Sequence, residues 1–178
     1  MEILVCVKRV PQVGGKIVVT ADGQEVDTRM AGFAMSPHEE CAVEEAVRLT
    51  EADGGTSTVL TLGPDAAVEQ LQDALALGIG RAVLLETDGR EWDPAATAGA
   101  IVEAVRADAA AGPEYDLLLF GNEAADTGDY QVGIRVARRW ACRASPESRL
   151  SRSKTEPRSP GGSCTEAGRS SRSRCRQS

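Results

Sequence analysis

The stretch YDLLLFGNEAADTGDYQVGI, residues 115–134, combines an apolar run, a polar loop and the start of a helical pattern. Its four apolar residues, Leu117 to Phe120, form a short run that is typical of a buried strand. Gly121 ends the run, a polar loop with three acids follows, and a helical pattern begins at Gln131. A strand that turns through a small loop into a helix leaves unpaired amides that can hold a phosphate. On spacing alone an ordinary strand-to-helix connection is the commoner interpretation, since neither familiar phosphate-binding motif is present.

Upstream of this stretch, short apolar runs alternate with amphipathic helical patterns. The clearest helix start is Ser36-Pro37-His38-Glu39, where serine suits an N-cap, proline the first helical position and glutamate completes a capping box. A small hairpin is expected to turn at Asp22-Gly23. The alternation predicts an α/β fold with a parallel sheet covered by helices. Further strands are expected at residues 3–7, 58–62 and 82–85, and further helices at residues 65–77 and 95–105.

A parallel sheet of this kind binds ligands beyond the carboxyl ends of its strands. The loops that follow Val7, Leu62 and Phe120 lie at these ends. The Ser36-Pro37 helix start is expected to join them if the hairpin folds aside. Its unpaired amides would then bring partial positive charge to the same pocket.

The charge of the chain divides it into two unlike parts. Residues 1–136 carry 9 basic and 24 acidic residues, a balance of -15, whereas residues 137–178 carry 11 basic and 3 acidic residues, a balance of +8. The acidic part repels phosphates, which argues against a nucleic-acid partner. No apolar run approaches the length of a membrane span, and no stretch resembles a signal peptide, so a soluble cytoplasmic protein without membrane insertion is expected.

Residues 137–178 form an Arg/Ser-rich tail with ten Ser, ten Arg and a single Leu. A segment of this composition is unable to bury a core, so it is predicted to be disordered. It fits a basic arm for RNA or another anionic partner, or a solvated linker. A third interpretation is favoured, a frame-shifted translation of a GC-rich gene, because the helical pattern stops abruptly after Val136. The predicted domains are therefore an α/β nucleotide-binding domain at residues 1–136 and a disordered or out-of-frame tail at residues 137–178.

Several segments together resemble the electron transfer flavoprotein β subunit. They follow the family's order and extend from Met1 to about Val136. The later part of that family is not recognisable beyond Val136, so impairment by C-terminal truncation is expected. The segments are ILVCVKRVP at residues 3–11, MSPHE at 35–39, AVEEAVRL at 42–49, LGP at 62–64, DALALG at 73–78 and the loop at 121–133.

The resemblance implies a Rossmann-like fold that binds an adenine nucleotide, AMP or a second FAD. It also implies a heterodimer with an FAD-carrying α subunit, which carries electrons from acyl-CoA-type or other dehydrogenases to the respiratory chain. Such a protein is an electron carrier and needs no catalytic residue or metal of its own. By position, the expected cofactor-binding residues are Cys6, Ser36, Pro37, His38, Glu39, Leu62, Glu123, Ala124, Ala125, Asp126, Thr127, Gly128, Asp129, Tyr130, Gln131, Val132, Gly133 and Ile134.

The same resemblance implies a role for several of these positions. The backbone of Cys6 would face adenine. Asp126 or Asp129 would accept hydrogen bonds from ribose hydroxyls, and the amides of residues 131–133 would face the phosphate. For His38, the single histidine of the chain, a solvated or capping side chain is preferred to a catalytic role.

Two other functions remain open from the sequence. A stand-alone adenine-nucleotide-binding regulatory domain of the universal-stress type shares the α/β pattern and would bind ATP through its triphosphate. An Arg/Ser-tailed nucleic-acid binder would lose its salt-dependent binding when residues 137–178 are removed. A hydrolytic enzyme is disfavoured, because no nucleophile–base pair stands at a recognisable spacing. The electron-transfer β subunit ranks first and the nucleic-acid binder last.

Overall fold

The computed structural model describes residues 1–12, 17–24, 26–112, 114–142 and 172–173. The strands are β1 (Glu2–Val7), β2 (Val10–Gln12), β3 (Gly32–Ala34), β4 (Thr56–Gly63), β5 (Arg81–Glu86), β6 (Leu117–Phe120) and β7 (Arg172–Ser173). The helices are α1 (Pro37–Asp53), α2 (Val68–Ala76), α3 (Pro94–Ala111) and α4 (Val132–Cys142), and a 3₁₀ turn at Asp65–Ala67 precedes α2.

Strand β1 is the centre of a parallel sheet. Val5 of β1 lies opposite Val59 of β4 on one side and Leu119 of β6 on the other. β5 pairs in parallel with β4, and β7 lies antiparallel beside β6, so the strand order is β5-β4-β1-β6-β7. A strand that is buried on both faces needs an uninterrupted apolar run, which residues 3–7 supply. The predicted parallel sheet is confirmed.

The two faces of the sheet pack against different helices. Ile3 and Val5 belong to the apolar cluster that includes residues of α1 and α2. Leu4 and Cys6 belong to the cluster that includes residues of α3 and α4. Because successive strand residues point to opposite faces, a single five-residue run builds both halves of the core. The predicted covering of the sheet by helices is also confirmed.

Side-chain caps determine where two of the helices begin. Ser36 is the N-cap of α1, and its backbone amide donates a hydrogen bond of 3.1 Å to the Glu39 carboxylate. This hydrogen bond is the glutamate half of the predicted capping box. Asp93 caps α3, where its Oδ1 atom accepts hydrogen bonds from the amides of Ala95 and Ala96 at 2.8 and 3.0 Å.

Two small antiparallel features lie between β1 and α1. The pairing of β2 with β3 was not predicted. The predicted turn at Asp22-Gly23 is present, since the Gly23 amide donates to the Thr20 carbonyl at 2.8 Å and Val19 bridges to Val26. Gly23 has a φ of 69°, a left-handed conformation that glycine adopts without strain.

Helix α4 extends further than the sequence pattern predicted. The helical pattern in the sequence stops after Val136, whereas the helix continues to Cys142. Val136 is buried and Trp140 packs against the cluster beneath α3 and α4, so tertiary contacts support the extra turn. Most of residues 143–178 lie outside the described residues, so the boundary at residue 136 and the disorder of the tail stay predictions.

Candidate functional site

Three connections and one helix start meet at the carboxyl edge of the sheet. Lys8 directly follows β1, and Glu91 lies in the connection from β5 to α3. Asp126 lies in the connection from β6 to α4, residues 121–131, which we call the β6–α4 loop. Glu39 lies in the first turn of α1. Direct polar contacts join Lys8 to all three of these acids.

The Glu39 carboxylate joins α1 to the end of β1. Its Oε1 atom accepts a hydrogen bond from the Lys8 backbone amide at 2.9 Å, and Oε2 accepts one from the Ser36 amide at 3.1 Å. Glu39 is 6% exposed. This burial raises the pKa of Glu39 to about 7, although the two amide hydrogen bonds oppose the shift. A carboxyl group that titrates near neutrality therefore lies inside the edge where the loops meet.

Gly121 brings the end of β6 against the same carboxylate. A Cβ atom at this position would lie 2.6 Å from Cγ of Glu39. Real Cβ atoms essentially never approach a carbon so closely. The glycine that ends β6 therefore permits the contact between β6 and α1, and it does not leave space for a ligand at that point.

The Lys8 ammonium lies between two acidic loops. Its Nζ atom is 2.8 Å from Oε1 of Glu91 and 2.8 Å from Oδ2 of Asp126. The Lys8 side chain is 30% exposed and that of Asp126 17%, whereas that of Glu91 is 63% exposed. Burial lowers the pKa of Lys8, but hydrogen bonds to Asp126 and Glu91 outweigh that effect and raise it overall. The ammonium is therefore charged at neutral pH.

Hydrogen bonds within the β6–α4 loop give it a defined shape. The Ala124 amide donates to the Asp129 carbonyl at 3.0 Å, and the Gly128 amide donates to the Ala124 carbonyl at 2.7 Å. Gly128 has a φ of 67°, so this turn requires a residue that accepts the left-handed conformation. Asp129 also accepts a hydrogen bond from the Gln131 amide at 2.9 Å. The loop is a closed turn that leads directly into α4.

A second contact between α1 and the loop involves the single histidine. The Nε2 atom of His38 lies 3.7 Å from Oε1 of Glu123, and the His38 side chain is 49% exposed. Tyr130 is exposed, and a hydrogen bond to Glu123 raises the pKa of its phenol. Glu123 therefore lies between a residue of α1 and the last part of the loop.

Helix α4 begins at the end of the loop with its first turn against β6. A Cβ atom at Gly133 would lie 3.3 Å from Cγ of Phe120, so the helix start approaches the strand end closely. Val132 packs against the cluster that contains Phe120. The amides in the first turn of a helix have no intrahelical acceptor, so those of residues 132–134 remain donors for an anion.

The structure brings most of the predicted site residues to this one edge. Cys6 and Leu62 are the next-to-last residues of β1 and β4, so they lie inside strands but next to this edge. Cys6 is buried opposite Leu60 and Phe120, and burial raises the pKa of its thiol. The residues at the edge are Ser36, Pro37, His38 and Glu39 of the α1 start and residues 123–134 of the loop and α4.

Some of the groups that the sequence assigned to nucleotide contacts already have partners. Asp126, an expected ribose acceptor, forms the ion pair with Lys8. The Gln131 amide, an expected phosphate donor, is bonded to Asp129. The amides of Val132 and Gly133 are therefore better candidates for the phosphate than the Gln131 amide.

Sequence reasoning did not single out Lys8 or Glu91. Lys8 follows the first strand directly, so its position was the available signal, whereas Glu91 lies within the connection from β5 to α3. Their pairing joins residues that are 83 positions apart, and the Lys8–Asp126 contact spans 118 positions. No local pattern contains such contacts.

The opposite edge of the sheet carries a separate polar cluster. The Arg81 guanidinium contacts the Asp108 carboxylate and the Tyr115 hydroxyl, and these groups line a cavity of about 450 Å³. Hydrogen bonding to Arg81 lowers the pKa of Asp108. Because this cluster lies at the amino ends of the strands, it is separate from the loops described above.

Two kinds of feature are absent from the described part of the chain. Residues 1–12, 17–24, 26–112, 114–142 and 172–173 contain no group of three or more His, Cys, Asp or Glu side chains that could hold a metal ion. In the same ranges, no helix combines the length and the apolar character that a bilayer crossing requires.

A family model and several known proteins match most of this chain. Residues 25–143 match the electron transfer flavoprotein domain. The chain is 35% identical over 139 residues to the electron transfer flavoprotein subunit beta of Bacillus subtilis, covering 77% of this chain and 51% of that protein. It is 34% identical over 140 residues to the acryloyl-CoA reductase electron transfer subunit gamma of Anaerotignum propionicum, covering 77% and 51%.

A third relative is the protein FixA of Rhizobium meliloti, which is 34% identical over 142 residues, covering 78% of this chain and 48% of that protein. The chain thus spans about half the length of the curated relatives that it matches.

Proposed function

Because this chain belongs to the electron transfer flavoprotein domain family, we propose that it is a β-type subunit that binds an adenine nucleotide at the carboxyl edge of its sheet. The nucleotide is AMP, or a second FAD. The chain pairs with an FAD-carrying α subunit, and the pair carries electrons from dehydrogenases to the respiratory chain.

One observation carries the nucleotide part of this proposal. The β6–α4 loop, the start of α1 and the end of β1 converge through the contacts of Lys8 and Glu39. Ligands of open α/β sheets bind at this edge. The first-turn amides of α4 are able to bind an anion. The small residues of the loop would let a ligand approach its backbone closely.

The charges at this edge favour a nucleotide with few phosphates. Lys8 and Arg135 are outnumbered at this edge by five acids, which are Glu39, Glu91, Glu123, Asp126 and Asp129. Each further phosphate adds negative charge beside these carboxylates and is repelled by them. AMP is therefore a better ligand for this edge than ATP, which disfavours a stand-alone domain of the universal-stress type.

The donors and acceptors of the edge fit an adenosine monophosphate. The amides of Val132, Gly133 and Ile134 would hold the phosphate, and the Asp129 and Glu123 carboxylates are acceptors for ribose hydroxyls. An FAD shared with the α subunit supplies the redox chemistry when it is bound. The residues of this chain hold and orient the nucleotide and contribute no nucleophile or acid–base pair.

The partners follow from the family and from the names of the relatives. The relatives are electron transfer flavoprotein β subunits and an electron transfer subunit of an acryloyl-CoA reductase. We propose an electron transfer flavoprotein α subunit as the direct partner and acyl-CoA-type dehydrogenases as electron donors. The cytoplasm is the proposed location of the pair.

Calorimetric titration of the chain with AMP, ADP and ATP tests the nucleotide site. We expect AMP to bind more tightly than ATP. Gln131→Glu puts a carboxylate at the start of α4 and should weaken AMP binding about tenfold, since it repels the phosphate. Gln72→Glu makes the same change at an exposed position on α2 and should leave AMP affinity unchanged.

The electron-transfer part of the proposal is tested with the α subunit present. Co-expression with an electron transfer flavoprotein α subunit should yield a heterodimer that contains FAD and AMP, detected by flavin absorbance and by mass spectrometry of the released nucleotides. A chain that binds ATP preferentially and forms no heterodimer would favour the stand-alone regulatory domain instead.

A further inference from the structure

We propose that Lys8 is a positioning residue, whose ammonium holds the β6–α4 loop against the end of β1 by pairing with Asp126. This inference rests on the proposed function, because the loop that Lys8 holds is the one assigned to the nucleotide. It names a residue that lies outside the expected cofactor-binding set and has no assigned contact with the ligand.

The geometry of the Lys8–Asp126 pair is that of a two-point contact. The Nζ atom of Lys8 lies 3.0 Å from Oδ1 and 2.8 Å from Oδ2 of Asp126. Oδ1 also accepts the Thr127 amide at 2.9 Å, so the carboxylate is held within its own loop. A shift of the loop away from β1 would break both contacts to Lys8 at once.

The base of the Lys8 side chain is fixed as well. Its backbone amide donates to the buried Glu39 carboxylate at 2.9 Å. The residue directly follows β1, the central strand of the sheet. The lysine therefore connects a rigid part of the molecule to a surface loop, and it does so with one end anchored in the core.

The exposed fractions of the two acids indicate which one forms the stronger ion pair with Lys8. The Lys8 and Asp126 side chains are 30% and 17% exposed, so solvent screens this pair only in part. Glu91 is 63% exposed, and exposed ion pairs contribute little. Asp126 is therefore the principal partner, and Glu91 is a secondary one that adds local negative charge.

The pair also affects the charge of the site. An ammonium bound to Asp126 cancels the charge of one carboxylate in the loop that leads into α4. Without Lys8, Asp126 would remain as an uncompensated anion in the loop proposed to hold the nucleotide. Loss of Lys8 is therefore expected to loosen the loop and to weaken nucleotide binding, through two distinct effects.

Hydrogen exchange of the full chain without nucleotide tests the positioning role directly. Lys8→Met keeps most of the side-chain length and removes the charge. We expect amides of residues 123–131 to exchange about tenfold faster, while exchange in β1 and β4 stays unchanged. Arg48→Met removes an arginine paired with Glu45 on α1 and should leave the loop unchanged.

A double-mutant cycle assigns the effect to the proposed partner. Asp126→Asn should loosen the same amides, and the Lys8→Met, Asp126→Asn double variant should exchange no faster than either single variant. Lys8→Arg should keep the loop protected. Loop exchange that is unchanged in Lys8→Met, or effects of Lys8→Met and Asp126→Asn that add, would overturn the proposal.

AMP titration of the same proteins separates this inference from the proposed function. We expect Lys8→Met to weaken AMP binding about tenfold and Lys8→Arg to preserve it. If the unmodified chain binds no AMP, the nucleotide assignment fails, and the exchange experiment still decides whether Lys8 holds the loop.

Discussion

Gly121 at the end of β6 lies so close to Glu39 of α1 that a Cβ atom on the glycine would be 2.6 Å from Cγ of the glutamate. The Glu39 side chain is held in place by amides of Lys8 and Ser36, at 2.9 and 3.1 Å. Two elements that are far apart in the sequence are thus in contact because one of them ends in glycine.

Gly121→Ala should destabilise the fold. The added methyl group meets a side chain that is hydrogen-bonded on both oxygens, so α1 or β6 has to shift. Overpacking of this kind costs about 1–3 kcal/mol. Urea denaturation measures the loss. Gly112→Ala is the matched control, since its Cβ would lie 3.8 Å from the nearest atom, and a loss of equal size there would contradict the assignment.

Glu39 should make the stability of the chain depend on pH. Burial raises its pKa in the folded state to about 7, from the 4.5 that is usual for a glutamate. The folded state therefore binds more protons between these values, and stability falls as the pH rises from about 4.5 to 7. The total loss is on the order of 3 kcal/mol. Below this window the full contribution is present.

Denaturation at several pH values, with the unmodified chain and with Glu39→Gln, measures this dependence. Glu39→Gln removes the titrating group, so its stability should change less with pH across the window than that of the parent. Glu40→Gln alters the neighbouring exposed acid and should keep the slope of the parent. The idea fails if the parent and Glu39→Gln give parallel curves.

The central strand should be the most sensitive part of the core. Leu4 of β1 is 1% exposed and packs against the helices α3 and α4, so Leu4→Ala leaves a cavity. The expected loss is about 2–5 kcal/mol. Leu77→Ala makes the same chemical change at a residue that is 46% exposed. Chemical denaturation of both variants should therefore separate them clearly, and comparable losses would argue against the packing.

Gly128 should be required in the β6–α4 loop because of its backbone conformation. Its φ is 67°, and no heavy atom lies within 4 Å of a Cβ built there, so the cost of Gly128→Ala is conformational, about 1–2 kcal/mol. Gly23→Ala provides a control with the same strain, since its φ is 69° with equal space. Both variants should lose similar stability, but only Gly128→Ala should weaken AMP binding. Equal AMP affinity in the two would place the nucleotide elsewhere.

The sequence predicted the elements that depend on local chemistry. The apolar run at residues 3–7 predicted a buried strand, and Ser36-Pro37-His38-Glu39 predicted the start of α1. The order of strands and helices then predicted a parallel sheet, because helical crossovers join parallel strands. Helix α4 continues to Cys142 although the local pattern stops after Val136, since contacts of Val136 and Trp140 with the core support the extra turn.

The sequence predicted which edge of the sheet holds the site, but it did not predict the contacts within the site. Family resemblance identified the loop and the α1 start, and the parallel sheet brought them together. The contacts of Lys8 with Asp126 and Glu91 depend on how three connections pack, which no local pattern records. The raised pKa of Glu39 depends on its burial beneath Gly121, so it was not predictable from the sequence either.

An amide NMR titration of the chain with AMP locates the nucleotide on the protein. We expect saturable shifts of the amides in residues 36–39 and 123–134, with little change around Arg81 and Tyr115 at the opposite edge. Shifts confined to that opposite edge, or no saturable shift at millimolar AMP, would contradict a nucleotide site at the carboxyl ends of the strands.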